Sequence, residues 1–363
     1  MSLVDILPTV LDSLHVDPPS GLQGQSLLPL MRDKGAGAKS PLYGESFLPR
    51  IHFNWSEVRG VRVGKYHFID GPKPELYDLE SDQHETVNLY STRPALAAEM
   101  RGKLTGVIRD FTPGTELAEK TPLDPAMMER LKSLGYAAVS SGHSATVSAP
   151  GLPDAKDRIG IYELISGAIE DSQHRRYDDS IAKLNETLKT EPESESVHYL
   201  LGLNYYRKRD PALAAREFER VLASSPGYGL AAYYLGLSYA SSGDFDKAIA
   251  ALLRALELDK TNHSAAFNLG VAYLQQKKVP ESIAAFHRAI EIYPDYEQAY
   301  RALGETLMYQ GEIAGAVENL VRATALAPED ARAWSDLAQA FESSGRSAEA
   351  EAARSKAAAL RPK

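Results

Sequence analysis

The sequence predicts an α+β segment, a small antiparallel sheet with helices, followed by an all-α solenoid of six helical hairpins. Three observations carry this. Gly202, Gly236, Gly270 and Gly304 recur every 34 residues, each inside an apolar helical run such as Leu201-Gly202-Leu203 or Leu269-Gly270-Val271. Glycine inside a helix costs roughly 1 kcal/mol against alanine, so its return at one phase calls for a second helix crossing too closely for a Cβ. Between residues 56 and 79 the apolar residues alternate instead at β spacing, and residues 137–153 are rich in Ala, Ser and Gly with almost no large apolar side chain. The expected domains are therefore 1–111, a connector helix and flexible linker over 112–154, and the helical array over 155–363.

Composition sets outer limits. With 363 residues, 44% hydrophobic and 25% charged, the chain can build two cores. A net charge of −9 and a pI near 5.6 argue against a nucleic-acid partner, which calls for clustered Lys and Arg. The absence of cysteine excludes disulfides, thiolate metal sites and a cysteine nucleophile. No apolar run approaches the roughly 18 residues of a membrane span. No export-signal pattern follows Met1, and the chain opens as if in mid-domain.

Leu3, Val4, Ile6, Leu7, Val10, Leu11 and Leu14 fall at helical spacing, with Asp5 placed to cap and Pro8 tolerated in the first turn. Pro18, Pro19, Gly21 and Gly24 break the pattern, and residues 26–31 read as one helical turn. Residues 42–45 read as a brief strand. Three further strands over 56–63, 66–69 and 75–79 are separated by Gly64-Lys65, a hairpin-length break, and by 70–74. From Pro94 to Phe111 the period returns to helical through Leu96, Met100, Leu104 and Ile108, a stripe suited to cover the sheet.

Leu3-Val4-Asp5-Ile6-Leu7-Pro8-Thr9, Leu42-Tyr43-Gly44-Glu45, Val58-Arg59-Gly60-Val61-Arg62 and above all Glu75-Leu76-Tyr77-Asp78-Leu79, followed by Asp82, Glu85, Asn88 and Leu89, resemble the carboxyl-terminal part of sulfatases of the alkaline-phosphatase-like superfamily. The resemblance implies hydrolase ancestry. Sulfatases carry a formylglycine made from a C/S-x-P/A-x-R motif, with calcium-binding carboxylates, in an amino-terminal subdomain. Here the nearest serines, Ser46 and Ser91, have the wrong spacing, so no catalytic, cofactor or metal residue is assigned and this chain alone is expected to be inactive. Calcium is expected only for an intact sulfatase parent. The cluster Asp78, Glu80, Asp82, His84 and Glu85 fits neither a calcium loop nor a zinc helix and reads as a solvated turn shaped by Asp82 and Asn88. His52, His67 and Trp55 read as structural or exposed.

Beyond the connector helix over 126–136, extending the glycine phase adds Ala168 before Gly202 and Ala338 after Gly304. The second repeat reads His198-x-x-Leu201-Gly202-x-x-Tyr205, then Ala214-x-x-x-Phe218, then Pro226, and the others follow in register, with departures at Lys260, Ser282 and Arg354. This resembles the tetratricopeptide repeat at nearly every marker position. The resemblance implies an inner surface lined by the first helix of each hairpin, here Tyr199, Leu203, Tyr206, Tyr233, Tyr234, Leu237, Phe267, Asn268, Val271, Arg301, Glu305 and Tyr309. Each tyrosine among them has two readings, groove surface or packed core. The expected function is a protein- or peptide-binding scaffold attached to a non-catalytic sulfatase remnant; the alternative is the carboxyl-terminal fragment of a repeat-containing sulfatase whose catalytic part lies upstream.

Overall fold

The computed structural model describes residues 5–19, 24–32, 41–46, 48–111 and 151–360. They form two compact units, with 151–160 belonging to the first and the chain from Ile161 onward to the second.

In the first unit, α1 (Ile6–Ser13), α2 (Leu28–Arg32), β1 (Leu42–Ser46) and α3 (Leu48–Phe53) precede β2 (Val58–Val63), β3 (Tyr66–Asp70), β4 (Glu75–Asp78) and α4 (Pro94–Phe111). The strands form an antiparallel meander in chain order, with β1 added to the three-stranded hairpin series as an edge. Register places Val61 opposite Phe68 and Phe68 opposite Leu76, so one face presents three aligned apolar side chains. All three are fully buried under Ala97, Met100 and Leu104 of α4. The expected α4 stripe is therefore the lid of this core. Gly64 takes a φ of 58° in the β2–β3 turn, a conformation glycine adopts without steric cost.

Asp5 does not cap α1 as expected. Its backbone is helical and its carboxylate instead accepts from Gln25 N at 3.1 Å, tying α1 to the chain before α2. The helix α3 was not foreseen, since its six residues are too few to show a period. The acidic turn after β4 is built as expected: Asp82 accepts from Val87 N and Thr86 Oγ1, and Asn88 Oδ1 accepts from Leu76 N and Tyr90 N. Lys65 pairs with Asp78 and Glu80, holding the Asp78 carboxyl below its ordinary range.

The connector helix and most of the expected linker lie outside the described residues. From Gly151 the chain is fastened to the first unit: Pro153 O accepts from Ser56 N at 2.8 Å, and Asp154 accepts from Lys73 N and Lys156 N. Burial opposes the charge on Asp154, but those amides and the Lys156 ammonium outweigh it and hold its carboxyl below the usual range.

The second unit is a run of hairpins: α5 (Ile159–Gln173) with α6 (Tyr177–Leu188), α7 (Glu195–Arg207) with α8 (Pro211–Ser224), α9 (Gly229–Ser241) with α10 (Phe245–Leu258), α11 (His263–Gln275) with α12 (Val279–Ile292), α13 (Glu297–Gln310) with α14 (Ile313–Leu326), and α15 (Ala331–Ser343) with α16 (Ser347–Leu360). The close crossing inferred from the glycines is present within each hairpin. A methyl group built on Gly202 would stand 2.7 Å from the Phe218 ring, on Gly236 2.6 Å from Leu252, on Gly270 2.5 Å from Phe286 and on Gly304 2.6 Å from Leu320. The filling residue always lies 16 positions on, so Phe and Leu alternate in one slot that the sequence reading recognised only through its phenylalanines.

Small residues at the next phase complete the crossing. Ser180, Ala214, Ala248, Ser282, Ala316 and Ala350 are all essentially inaccessible. The departure at Ser282 has a reason: its hydroxyl donates to Gly270 O at 2.8 Å, as Ser180 does to Ala168 O at 2.7 Å, so each buried hydroxyl is satisfied by the facing helix. A second ladder of the same period closes the first helix of every hairpin. Arg175, Arg209, Gly243, Lys277, Gly311 and Gly345 all have φ between 60° and 86°, the left-handed turn that ends a helix.

Gly270→Ala is expected to lower the thermal midpoint even though alanine is the better helix former, because overpacking against Phe286 costs about 1–3 kcal/mol. Calorimetry decides it, and an unchanged or higher midpoint would show that the ring has room to yield.

Candidate ligand-binding face

The first helices of successive hairpins meet through residues 35 apart. Tyr199 of α7 meets Tyr234 of α9 with ring centroids 6.3 Å apart; Asn268 of α11 donates from Nδ2 to Tyr233 Oη of α9 at 3.4 Å; and Arg301 Nη1 of α13 lies 3.6 Å from Asp336 Oδ2 of α15. Between them, Phe267 and Ala302 share one apolar cluster with Phe286 and Leu303. One geometric relation thus carries aromatic, amide, aliphatic and ionic chemistry in turn along the stack.

The aromatic end is dense. Tyr234 meets Tyr206 at 5.9 Å and Tyr233 at 5.2 Å edge-on, and stacks on Phe218 at 5.8 Å. Phe267 leans on Phe286 and Tyr296 at 5.7 and 5.4 Å. Of the residues expected on the face, Leu203, Tyr206, Tyr233, Tyr234, Leu237, Phe267, Asn268, Val271 and Arg301 are half-buried, whereas Glu305 and Tyr309 are exposed. Tyr199 departs from the expectation. Only 5% accessible, it sits among Phe218, Tyr228 and Tyr234, and desolvation drives its phenol well above the ordinary range. It is core, because the close crossing at Gly202 draws the Phe218 ring under it.

At the ionic end, Arg301 is shared by three carboxylates: Glu305 at 2.6 Å, Asp336 at 3.6 Å and Asp330, from its Nε, at 3.8 Å. Burial, and then the neighbouring Glu305 carboxylate, push the Asp336 carboxyl up to about 7 against the opposing pull of Arg301. Neither Asp330 nor Asp336 was foreseen. The signal existed, since Asp336 continues the phase of Tyr234 and Asn268, but only the stacking shows that it faces Arg301.

A second titrating group lies away from this face. His198, 4% accessible, meets Glu217 Oε2 through Nδ1 at 2.6 Å and the Pro192 carbonyl through Nε2 at 2.9 Å. Glu217 above all, and then the Pro192 carbonyl, raise the pKa of the imidazole against the opposing effect of burial.

A family model described as tetratricopeptide repeat matches residues 168–229, 199–263, 233–297 and 301–363, together more than half of the chain. The chain belongs to the tetratricopeptide repeat family. The half-buried side chains of its tetratricopeptide first helices are the face described above. A second family model, N-sulphoglucosamine sulphohydrolase, C-terminal, matches residues 1–110, the sheet-bearing unit. Arylsulfatase K of Canis lupus familiaris is 32% identical over 124 residues, covering 30% of this chain and 22% of that protein, and arylsulfatase K of Homo sapiens shows the same identity and coverage. The chain spans about a fifth of the length of these curated relatives. Among solved structures, MamA is similar with a TM-score of 0.42 at 29% identity over 44% of this chain and 94% of that one. PilW, described as a type IV pilus biogenesis factor, gives 0.49 at 18% identity over 55% and 92%.

The Asp336 shift has a sign that can be tested on this tetratricopeptide array. A carboxyl whose folded pKa is raised from 3.8 to about 7 stabilises the fold fully below 3.8, and that contribution is lost as pH rises through about 7. His198 adds a fall of the same sign above its ordinary value of 6.5. Asp336→Asn is expected to flatten the decline of the thermal midpoint between pH 5 and pH 8 relative to wild type, leaving the His198 part. Equal slopes in the two proteins would refute the raised pKa of Asp336.

Proposed function

We propose that this chain is a protein-binding scaffold whose tetratricopeptide first-helix face takes an extended peptide, carried on a sulfatase-like carboxyl-terminal unit that is not catalytic by itself. In this reading residues 1–111 are the sulfatase-like unit, 112–154 the connector and 155–363 the array. The observation that carries the reading is the ladder of half-open side chains from Leu203 to Arg301. Large rings already held by their neighbours lose little freedom on binding, which is why such anchors dominate interfaces. Net acidity favours a protein rather than a nucleic-acid partner. Among the described residues no helix is long and apolar enough to cross a membrane.

Leu237 lies mid-face and belongs to none of the buried clusters that Leu203, Phe267 and Val271 pack against. In a selection from displayed random dodecapeptides, the full chain is expected to enrich specific sequences, and Leu237→Glu to abolish that enrichment while its circular-dichroism melt stays within a few degrees of wild type. Equal enrichment by the variant would remove the face from consideration.

A second reading, that a longer form of this protein is a sulfatase-like hydrolase requiring calcium, is favoured by the match of residues 1–110 to the model named N-sulphoglucosamine sulphohydrolase, C-terminal, and by the match to about a fifth of arylsulfatase K. On either reading the purified chain is expected to give no turnover of 4-methylumbelliferyl sulfate with added calcium. Turnover that persists through repurification would overturn the non-catalytic assignment.

A further inference from the structure

The face is not uniform, and its chemistry at the α13–α15 end constrains what binds. Among the described residues, the Arg301 guanidinium is the one cation in ion-pair contact with Glu305, Asp330 and Asp336. All four stay open to solvent, with side-chain accessibilities of 27%, 45%, 34% and 26% in that order. With Asp336 protonated the site carries a net charge of about −1, and with it ionised about −2. Arg301 is already divided among the three acids and has no excess charge to offer an incoming carboxylate.

The rest of the face agrees. Asn268, the residue best placed to hold a peptide carboxyl terminus, spends its amide on Ser264 O at 2.8 Å and Tyr233 Oη at 3.4 Å. Towards α9 and α11 the half-open residues are Tyr233, Leu237, Phe267 and Val271, which bring no charge. An acidic ligand would gain apolar contact at one end and meet repulsion at the other.

Building on the peptide-binding reading, we propose that the first-helix face recognises an extended segment whose aromatic or aliphatic side chains lie against Tyr233, Leu237 and Phe267 and whose lysine or arginine pairs with Glu305, Asp330 and Asp336. Charge complementarity selects this partner over neutral and acidic ones, and the apolar stretch supplies contact area. The charged groups acting on Asp336 are Arg301 and Glu305 from α13, and Asp330 at the start of its own helix is held by the same Arg301; among the described residues α16, packed behind α15, provides no charged group paired with it. Because Asp336 gives up its proton near neutrality, the preference for a basic side chain strengthens as pH rises from 6 to 8. Because the four groups keep partial contact with solvent, the preference fades with salt.

Displayed random dodecapeptides, about 40 Å when extended, are the probe, selected on the full chain at pH 8 and low salt. Enriched sequences are expected to combine aromatic or aliphatic residues with Lys or Arg. The double variant Glu305→Gln, Asp336→Asn is expected to retain the apolar signature and lose the basic one. Should that variant fail to fold, the same point is read on the wild-type chain. Replacing the basic residue of an enriched peptide by Gln is expected to weaken binding about tenfold by fluorescence anisotropy, the gap narrowing at pH 6 and in 0.5 M salt. Enrichment of apolar peptides without a basic residue, or with acidic ones, overturns this inference and leaves the peptide-binding reading standing. Absence of any enrichment overturns both.

Discussion

The contact between a side-chain-free backbone position and a large side chain 16 residues later is the constraint on which the helical unit depends. At Gly202, Gly236, Gly270 and Gly304 there is no volume for a methyl group, because Phe218, Leu252, Phe286 and Leu320 occupy it. Intrinsic helix propensity is surrendered four times for interhelical proximity. The exchange is favourable because each filling side chain is wholly buried, a gain of roughly 1.5–3 kcal/mol apiece against about 1 kcal/mol for the glycine. The inaccessible Ala or Ser at the next phase of each hairpin serves the same approach, and where the residue is Ser180 or Ser282 its hydroxyl turns the approach into a hydrogen bond.

Because one crossing geometry recurs, the first helices fall into a common frame, and residues 35 apart come together at every step. What those residues are is free to vary. The same relation joins two phenol rings at Tyr199 and Tyr234 and an arginine to an aspartate at Arg301 and Asp336. A solenoid separates the positions that build the stack from those that give its face a character, so an aromatic region and an acidic region coexist on one surface without conflict.

The first and last repeats differ from those between them. In the first repeat the position held by Tyr205, Tyr239 and Tyr273 is Asp171, buried and bound to Arg176 and Lys183, whose hydrogen bonds keep its carboxyl below the usual range. In the last repeat Arg354 stands where Phe218 stands in the second and pairs with Glu342. Charge thus takes the place of a ring at one marker position of the first repeat and at another of the last.

Period, hairpin number and the α4 lid were legible in the sequence because each is written in spacing: 34 residues for the hairpins, and the helical repeat of Leu96, Met100 and Leu104 for the lid. Spacing also names the positions of the first-helix face. It does not say which way a half-apolar residue turns, and so Tyr199, identical in type and phase to Tyr233, became core while Tyr233 stayed partly open. Nor does it assign Asp5 to Gln25 or Asp336 to Glu305, since those pairings join segments whose separation is set by loops and stacking. Local periodicity fixes which face of an element is apolar; burial and ion pairs depend on distances across elements, and only the tertiary structure decides those.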